Sequence, residues 1–191
     1  MRQAGGQVLD LEDMARHRGS VLGGVPDVPQ PSQKGFESQL VHVLSSFDPA
    51  LPVYAESESS KIGAIRVPDM LLQSMRNGTC LRLETPLPLR IELLRDDYAH
   101  FLRDPASLAR ELDRLQGLYS NELLAHWHAL CEAQAWDEFI AELLGRHYDP
   151  AYNKSIRRNY PSYDQSPVLQ LNGLSGQGFM RLAEEALAAD A

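Results

Sequence analysis

Three short apolar runs, Gln7-Val8-Leu9-Asp10-Leu11, Leu51-Pro52-Val53-Tyr54-Ala55 and Cys80-Leu81-Arg82-Leu83-Glu84, alternate with two segments of helical periodicity. No other feature narrows the possible folds as much. Phe36, Leu40, Val43, Leu44 and Phe47 recur at helical spacing between the first two runs, so one helical face there is apolar. Between the second and third, Pro68 to Arg76 reads as a short helix, with Pro near its start and Gly78 just past its end. Strand, helix, strand, helix, strand predicts a parallel α/β sheet. Leu51 to Ala55, with turn formers before it and acids after it, reads as a buried strand. The glycine- and proline-rich stretch from Gly19 to Gly35 reads as a long loop.

From Arg90 the pattern is helical. Asp104-Pro105 is an N-cap followed by proline at the first helical position, and Leu108, Leu112 and Leu115 continue the stripe. Leu123, Leu124, Trp127, Leu130 and Cys131 mark a second helix. Trp136, Phe139, Ile140, Leu143 and Leu144 mark a third, closed by Gly145. Val168 to Leu171 reads as a late strand returning to the sheet, with a final helix around 179–188. The expected organisation is an α/β part at 1–89, a helical subdomain at 90–150, and a loop, strand and helix at 151–191 that complete the α/β part.

Charge is unevenly spread. The net charge is −8, and the stretch from Glu84 to Ala151 carries 13 of the 26 acidic residues but six of the 18 basic ones. An acidic total argues against indiscriminate nucleic-acid binding, which depends on neutralising phosphates. It leaves room for two local basic sites, Arg16-His17-Arg18 and Lys154 with Arg157 and Arg158. No apolar run is long enough to span a membrane, and two cysteines, Cys80 and Cys131, fit a reducing compartment, so a cytoplasmic location is expected. His126 and His128 sit two apart and point to different helical faces, and no Cys/His spacing resembles a zinc site; no metal site is expected.

The sharpest local signal is Val53-Tyr54-Ala55-Glu56-Ser57-Glu58-Ser59, an apolar strand delivering carboxylates at its C-terminal end. That is the Walker B arrangement of nucleotide-binding folds, where the acid holds Mg²⁺ and orients a nucleophile. An ordinary strand running into an acidic turn has the same sequence. A phosphate site also needs a cup of backbone N–H groups and a lysine, and G-x-x-x-x-G-K-[ST] occurs nowhere in the chain. Tyr148, Tyr152, Tyr160 and Tyr163 surround Lys154, Arg157 and Arg158. Aromatics interleaved with bases suit a single-stranded RNA loop, through stacking and backbone charge; an ordered loop packed on helices is the alternative.

Several blocks, in order, carry a family resemblance. They are Asp10-Leu11-Glu12, His17-Arg18-Gly19-Ser20, Gln30-Pro31-Ser32-Gln33 with Phe36-Glu37, and Glu56-Ser57-Glu58-Ser59. Ile62-Gly63, Pro68, Met75-Arg76, Pro86, Arg90, Asp97-Tyr98 and His147-Tyr148-Asp149-Pro150-Ala151-Tyr152 follow. Together they resemble tRNA 2-selenouridine synthase. The resemblance implies a P-loop domain joined to an upstream rhodanese domain, acting on wobble 2-thiouridine of tRNA. The thio group is geranylated from geranyl diphosphate, and the S-geranyl group is then displaced by selenium from selenophosphate. These are co-substrates; no bound cofactor is expected.

This chain resembles the portion after the phosphate loop, so the expected fold is a truncated P-loop NTPase-like parallel sheet with a helical C-terminal portion. Neither cysteine replaces the rhodanese one: the arginine expected six residues on is Pro86 after Cys80 and Asp137 after Cys131. The resemblance implies Glu56 and Glu58 as catalytic carboxylates and Arg18, Ser20, Arg76 and Arg90 as anion contacts. Lys154, Arg157, Arg158 and Tyr152 are the expected tRNA contacts. The expected partners are tRNA and either a separate upstream rhodanese/P-loop fragment or a second copy of this chain. The competing reading is a catalytically inactive remnant that binds tRNA or protein. A chain lacking its central strand is expected to be marginal alone, because neighbouring strands keep unpaired edges.

Overall fold

Each of the three apolar runs forms a strand in the structure, a computed structural model that describes residues 1–20 and 22–189. The elements in order are β1 (Gln7–Leu9), α1 (Leu11–Ala15), α2 (Gln33–Ser45), β2 (Val53–Ala55), β3 (Lys61–Ile62), β4 (Ile65–Arg66), α3 (Asp69–Arg76) and β5 (Arg82–Glu84). There follow α4 (Leu87–Asp97), α5 (Ala99–Arg103), α6 (Pro105–Leu112), α7 (Asn121–Glu132), α8 (Trp136–Leu143), α9 (Asp149–Asn159), β6 (Val168–Gln170) and α10 (Gly176–Ala189). The class is mixed α/β with short parallel strand pairs, consistent with part of a P-loop-like domain. Among the described residues the expected sheet is divided into pieces: β1 pairs in parallel with β2, β5 pairs in parallel with β6, and β3–β4 form a small antiparallel hairpin. Val168–Gln170 does return to pair with another strand, as its sequence predicts.

The chain divides into two compact units. One comprises Met1–Glu84, Ile156–Leu171 and the segment from Ser175 onward; the other comprises Thr85–Ser155 with Asn172–Leu174. In the first, Leu9 of β1, Leu11, Met14 and Ala15 of α1, Phe36 and Leu40 of α2, and Ile62, Ile65, Val67 and Leu72 form one buried cluster. Val43, Phe47, Leu71 and Met75 pack against it. Full burial of such side chains contributes about 1.5–3 kcal/mol each before entropy is charged. Ser32 starts α2 by accepting the Gly35 N–H at 3.1 Å.

Three expectations need correction. The run Leu51 to Ala55 is not buried: Leu51 is 54% and Val53 42% exposed. Among the described residues β2 pairs with β1 alone, so it is an edge strand. Apolarity in the sequence cannot tell an edge from a centre. Gly145 does not end the third helix, because a π-helical turn, Leu144–Tyr148, carries the chain on into α9, with the Asp149 N–H donating to the Leu144 carbonyl. Tyr152, Lys154, Arg157 and Arg158 therefore lie on a helix, not a loop; Pro150 is tolerated there near the helix start.

In the second unit Asp104 caps α6 as expected, accepting the Ser107 N–H at 3.1 Å. Leu108, Leu112, Leu115, Leu124, Trp127, Leu130, Phe139, Ile140 and Leu143 are buried, the stripes read from the sequence. Trp127 is fully buried, with its indole N–H donating to Glu142 at 3.2 Å. Cys131 is buried on the same stripe, and burial pushes its thiol up to about 11, the state of an inert cysteine. None of the described helices is long and apolar enough to cross a membrane.

Candidate active site

The site is built where the parallel pair β1–β2 ends. The register is Gln7 with Val53, Val8 with Tyr54 and Leu9 with Ala55. In each strand the next residue is an acid, and so is the third: Asp10 and Glu12 follow Leu9, and Glu56 and Glu58 follow Ala55. Matched register with matched offsets brings four carboxyls to one end of a parallel pair, which in open α/β sheets is the end that receives ligands.

The four have different tasks. Asp10 caps α1, accepting the Asp13 N–H at 3.0 Å, and also faces Arg2 at 3.7 Å. Glu56 crosses from β2 and accepts the Leu11 N–H at 3.0 Å, tying the two strand ends together. Glu12 and Glu58 face each other across the loop of His17 to Ser20. A Cβ on Gly19 would lie 2.6 Å from Glu58 Oε1 and 2.8 Å from Glu12 Oε1, and Gly19 has φ +67°. Only glycine lets the loop approach the carboxyls this closely.

Crowding and burial shift these groups. Glu12 is pushed up from 4.5 to about 8, first by burial and then by the charge and hydrogen bond of Glu58. Burial pushes Glu56 up to about 7, with the hydrogen bond from Leu11 opposing it. A carboxyl poised near neutrality can both take up and release a proton in the working pH range.

The loop bearing Gly19 is fixed by interlocking contacts. The Arg18 N–H donates to the Gly23 carbonyl at 2.8 Å, and the Ser20 N–H to the Arg18 carbonyl at 2.8 Å. The His17 ring is wedged between two glycines: a Cβ on Gly23 would lie 3.0 Å from His17 Cε1, and one on Gly63 2.7 Å from His17 Cδ2. Burial lowers the His17 pKa, so the ring is neutral near pH 7. The Gln30 amide completes the clamp, donating to the carbonyls of Ala15 (3.0 Å) and Ile62 (2.9 Å) and accepting the Ala64 N–H (2.7 Å). Gln33 does the same for the second hairpin strand, donating to the Arg66 carbonyl at 2.8 Å and accepting its N–H at 2.9 Å. The two glutamines of Gln30-Pro31-Ser32-Gln33 therefore hold the β3–β4 hairpin.

Of the expected site residues, Glu58, Arg18 and Ser20 lie at this loop, and Glu56 lies at the strand ends beside it, on the Leu11 N–H. Arg76 lies in the last turn of α3, with its Nε buried and unpartnered. Arg90 is in the helical unit, where Asp149 takes both its terminal nitrogens at 3.0 and 2.6 Å. Tyr152, Lys154 and Arg158 are exposed along α9, and Arg157 pairs with Asp164 at 3.1 Å. Among the described residues no group of three His, Cys, Asp or Glu side chains is placed to hold a metal ion. Glu12 and Gln30 are the residues at this loop that the reading by residue type left out; the equal offsets after β1 and β2 were the signal for Glu12.

Comparison with known proteins places this chain in a family. The family described as tRNA 2-selenouridine synthase AAA domain matches residues 2–129, and the chain belongs to it. A tRNA 2-selenouridine synthase of Hydrogenovibrio crunogenus is 30% identical over 181 residues, covering 83% of this chain and 49% of that protein. One of Chromohalobacter salexigens is 30% identical over 181 residues, covering 79% of this chain and 48% of that protein. One of Nitrosomonas europaea is 39% identical over 94 residues, 48% of this chain and 24% of that protein. The chain spans about half the length, or less, of these curated relatives. No solved structure matches it.

Proposed function

We propose that this chain is the portion of a tRNA-modifying transferase that surrounds the reacting groups, and that it acts with an upstream P-loop and rhodanese portion. The complete enzyme converts wobble 2-thiouridine through S-geranyl-2-thiouridine to 2-selenouridine, with geranyl diphosphate and selenophosphate as co-substrates. The carrying observation is the convergence of Glu12 and Glu58 on Gly19, with Glu56 tying the two strand ends through the Leu11 N–H, inside the stretch that the family match covers.

Alkylation of a thiocarbonyl sulfur releases the proton of the neighbouring ring N–H. Glu12, poised near neutrality beside Glu58, receives it. Glu56 keeps the pair in register through the Leu11 N–H. Arg18, Ser20 and Arg76, in the same unit, contact the diphosphate or selenophosphate; Arg90, in the helical unit, is engaged by Asp149. Tyr152, Lys154, Arg157 and Arg158 of α9 meet the tRNA.

The test mixes the chain with a polypeptide supplying the upstream half of the Hydrogenovibrio protein, 2-thiouridine tRNA and both co-substrates. Nucleoside mass spectrometry should show the geranyl and then the selenium product, and Glu58→Gln should suppress the first. Unchanged nucleoside masses, with both polypeptides folded by circular dichroism, overturn the proposal.

A further inference from the structure

Helix α4 of the second unit is unusual for its composition. Its eleven residues include Leu87, Leu89, Ile91, Leu93 and Leu94, yet none is buried, and Leu87 is 45% exposed. Beside it lie two adjoining depressions of about 340 and 410 Å³, which share Arg95 and Asp137 and run from α4 to the first turn of α8. Pro88, Ile91 and the half-buried Trp136 give the groove an apolar floor. Glu92, Asp96 and Glu138 line it without an ion-pair partner among the described residues, and Asp137 is paired only with Arg95, at 2.8 Å.

Part of this acidity has a local explanation and part does not. Asp137 and Glu138 sit in the first turn of α8, where carboxylates offset the positive end of the helix. Asp96 lies in the last turn of α4, where the negative end of the helix makes a carboxylate unfavourable, while Glu92 lies more than a turn from that end. Helix stability therefore works against the Asp96 charge, and cations of a partner would offset it together with the unpaired Glu92 and Glu138. The sign excludes an RNA backbone, which this face would repel. An apolar floor edged by carboxylates matches a polypeptide segment that presents leucine-like side chains flanked by lysine or arginine.

We propose that the α4–α8 groove docks a basic, amphipathic segment of a partner protein, laid along α4 with its apolar face on Ile91 and Trp136 and its cations against Glu92, Asp96 and Glu138. Trp136 reports the contact directly, since the chain's other tryptophan, Trp127, is fully buried. The experiment titrates the full chain with a short synthetic leucine–lysine peptide and follows tryptophan fluorescence. The expected result is a saturable change that Trp136→Phe abolishes and that added salt weakens. The paired variant Glu92→Gln/Asp96→Asn should lower affinity by about tenfold, while Glu122→Gln/Glu132→Gln, with the same charge change outside the groove, should leave it unchanged. Three results overturn the proposal: no saturable change; equal binding of a leucine–glutamate peptide or of oligouridylate; or sedimentation showing the groove already closed by a second copy of this chain.

Discussion

Replacing Glu12 with glutamine should make the protein more stable in alkali while changing little in mild acid. In the folded chain Glu12 is held at about 8 rather than 4.5, by burial and by the facing Glu58. The native state therefore binds a proton that the unfolded chain releases between those two values. Stability falls as pH rises wherever the native state binds more protons, so the loss begins above about 4.5 and is complete once pH passes about 8. At ~1.4 kcal/mol per tenfold change the full displacement would be worth about 5 kcal/mol. Glu12 is only half-buried and shares its proton with a neighbour, and solvent screening reduces that to about 2 kcal/mol. For a chain of this size this corresponds to a Tm lower by about 4–8 °C in alkali than in mild acid. Glutamine keeps the shape and the hydrogen bond to Glu58 without an ionisable proton. The assay is thermal unfolding followed by far-ultraviolet circular dichroism, for both proteins, at a pH near 6 and a pH near 9. The unmodified chain should lose several degrees between them, and the variant much less. Equal losses in the two proteins would show that Glu12 does not share a buried proton with Glu58.

Four further outcomes follow from the same geometry. Gly19→Ala places a Cβ against Glu12 and Glu58 at φ +67°, and should cost about 1–2 kcal/mol from the backbone alone, read as a lower Tm. Gln30→Leu removes three hydrogen bonds that lock the hairpin and loop, and should lower the urea midpoint by the equivalent of about 1–3 kcal/mol. Gln7→Leu frees the segment before β2, where the amide accepts the Asp48 N–H at 2.6 Å and donates to the Leu51 carbonyl at 3.2 Å. Carboxyl carbon NMR should then show the Glu12 titration moving down from about 8 as the strand ends loosen. Leu112→Ala empties a fully buried position in the helical unit and should cost about 2–5 kcal/mol in equilibrium unfolding.

Periodicity carried most of the helical part into view, because a stripe such as Leu108, Leu112 and Leu115 is the same in sequence and in space. The continuation through Leu144–Tyr148 was not legible, since it depends on one five-residue hydrogen bond from Asp149 to Leu144 where Gly145 signals a stop. α9 was hidden for a related reason: Tyr152, its two asparagines and Pro150 have low helical preference, and only Ile156 is buried along it. For the site, the Glu56-Ser57-Glu58 signal was visible as a strand ending in acids. Its partner Glu12 was not, because nothing local in Asp10-Leu11-Glu12 states that β1 lies beside β2.

That pairing is what makes a site from otherwise ordinary residues. Side chains alternate along a strand, so a slip of one residue between β1 and β2 would move one strand's acids against the other's Leu11 or Ser57. Glu56 would then miss the Leu11 N–H, and Glu12 would no longer meet Glu58 over Gly19. The acids cannot enforce this register themselves, because their mutual repulsion favours separation. The uncharged contacts must hold it: the Gln7 amide at one end of the strand pair, the buried Leu9 within it, and the Gln30 clamp on the loop beyond. The raised carboxyl pKa values are thus a consequence of apolar packing and amide hydrogen bonds that keep like charges together. The same neutral framework that stabilises the fold therefore also sets where these carboxyls titrate.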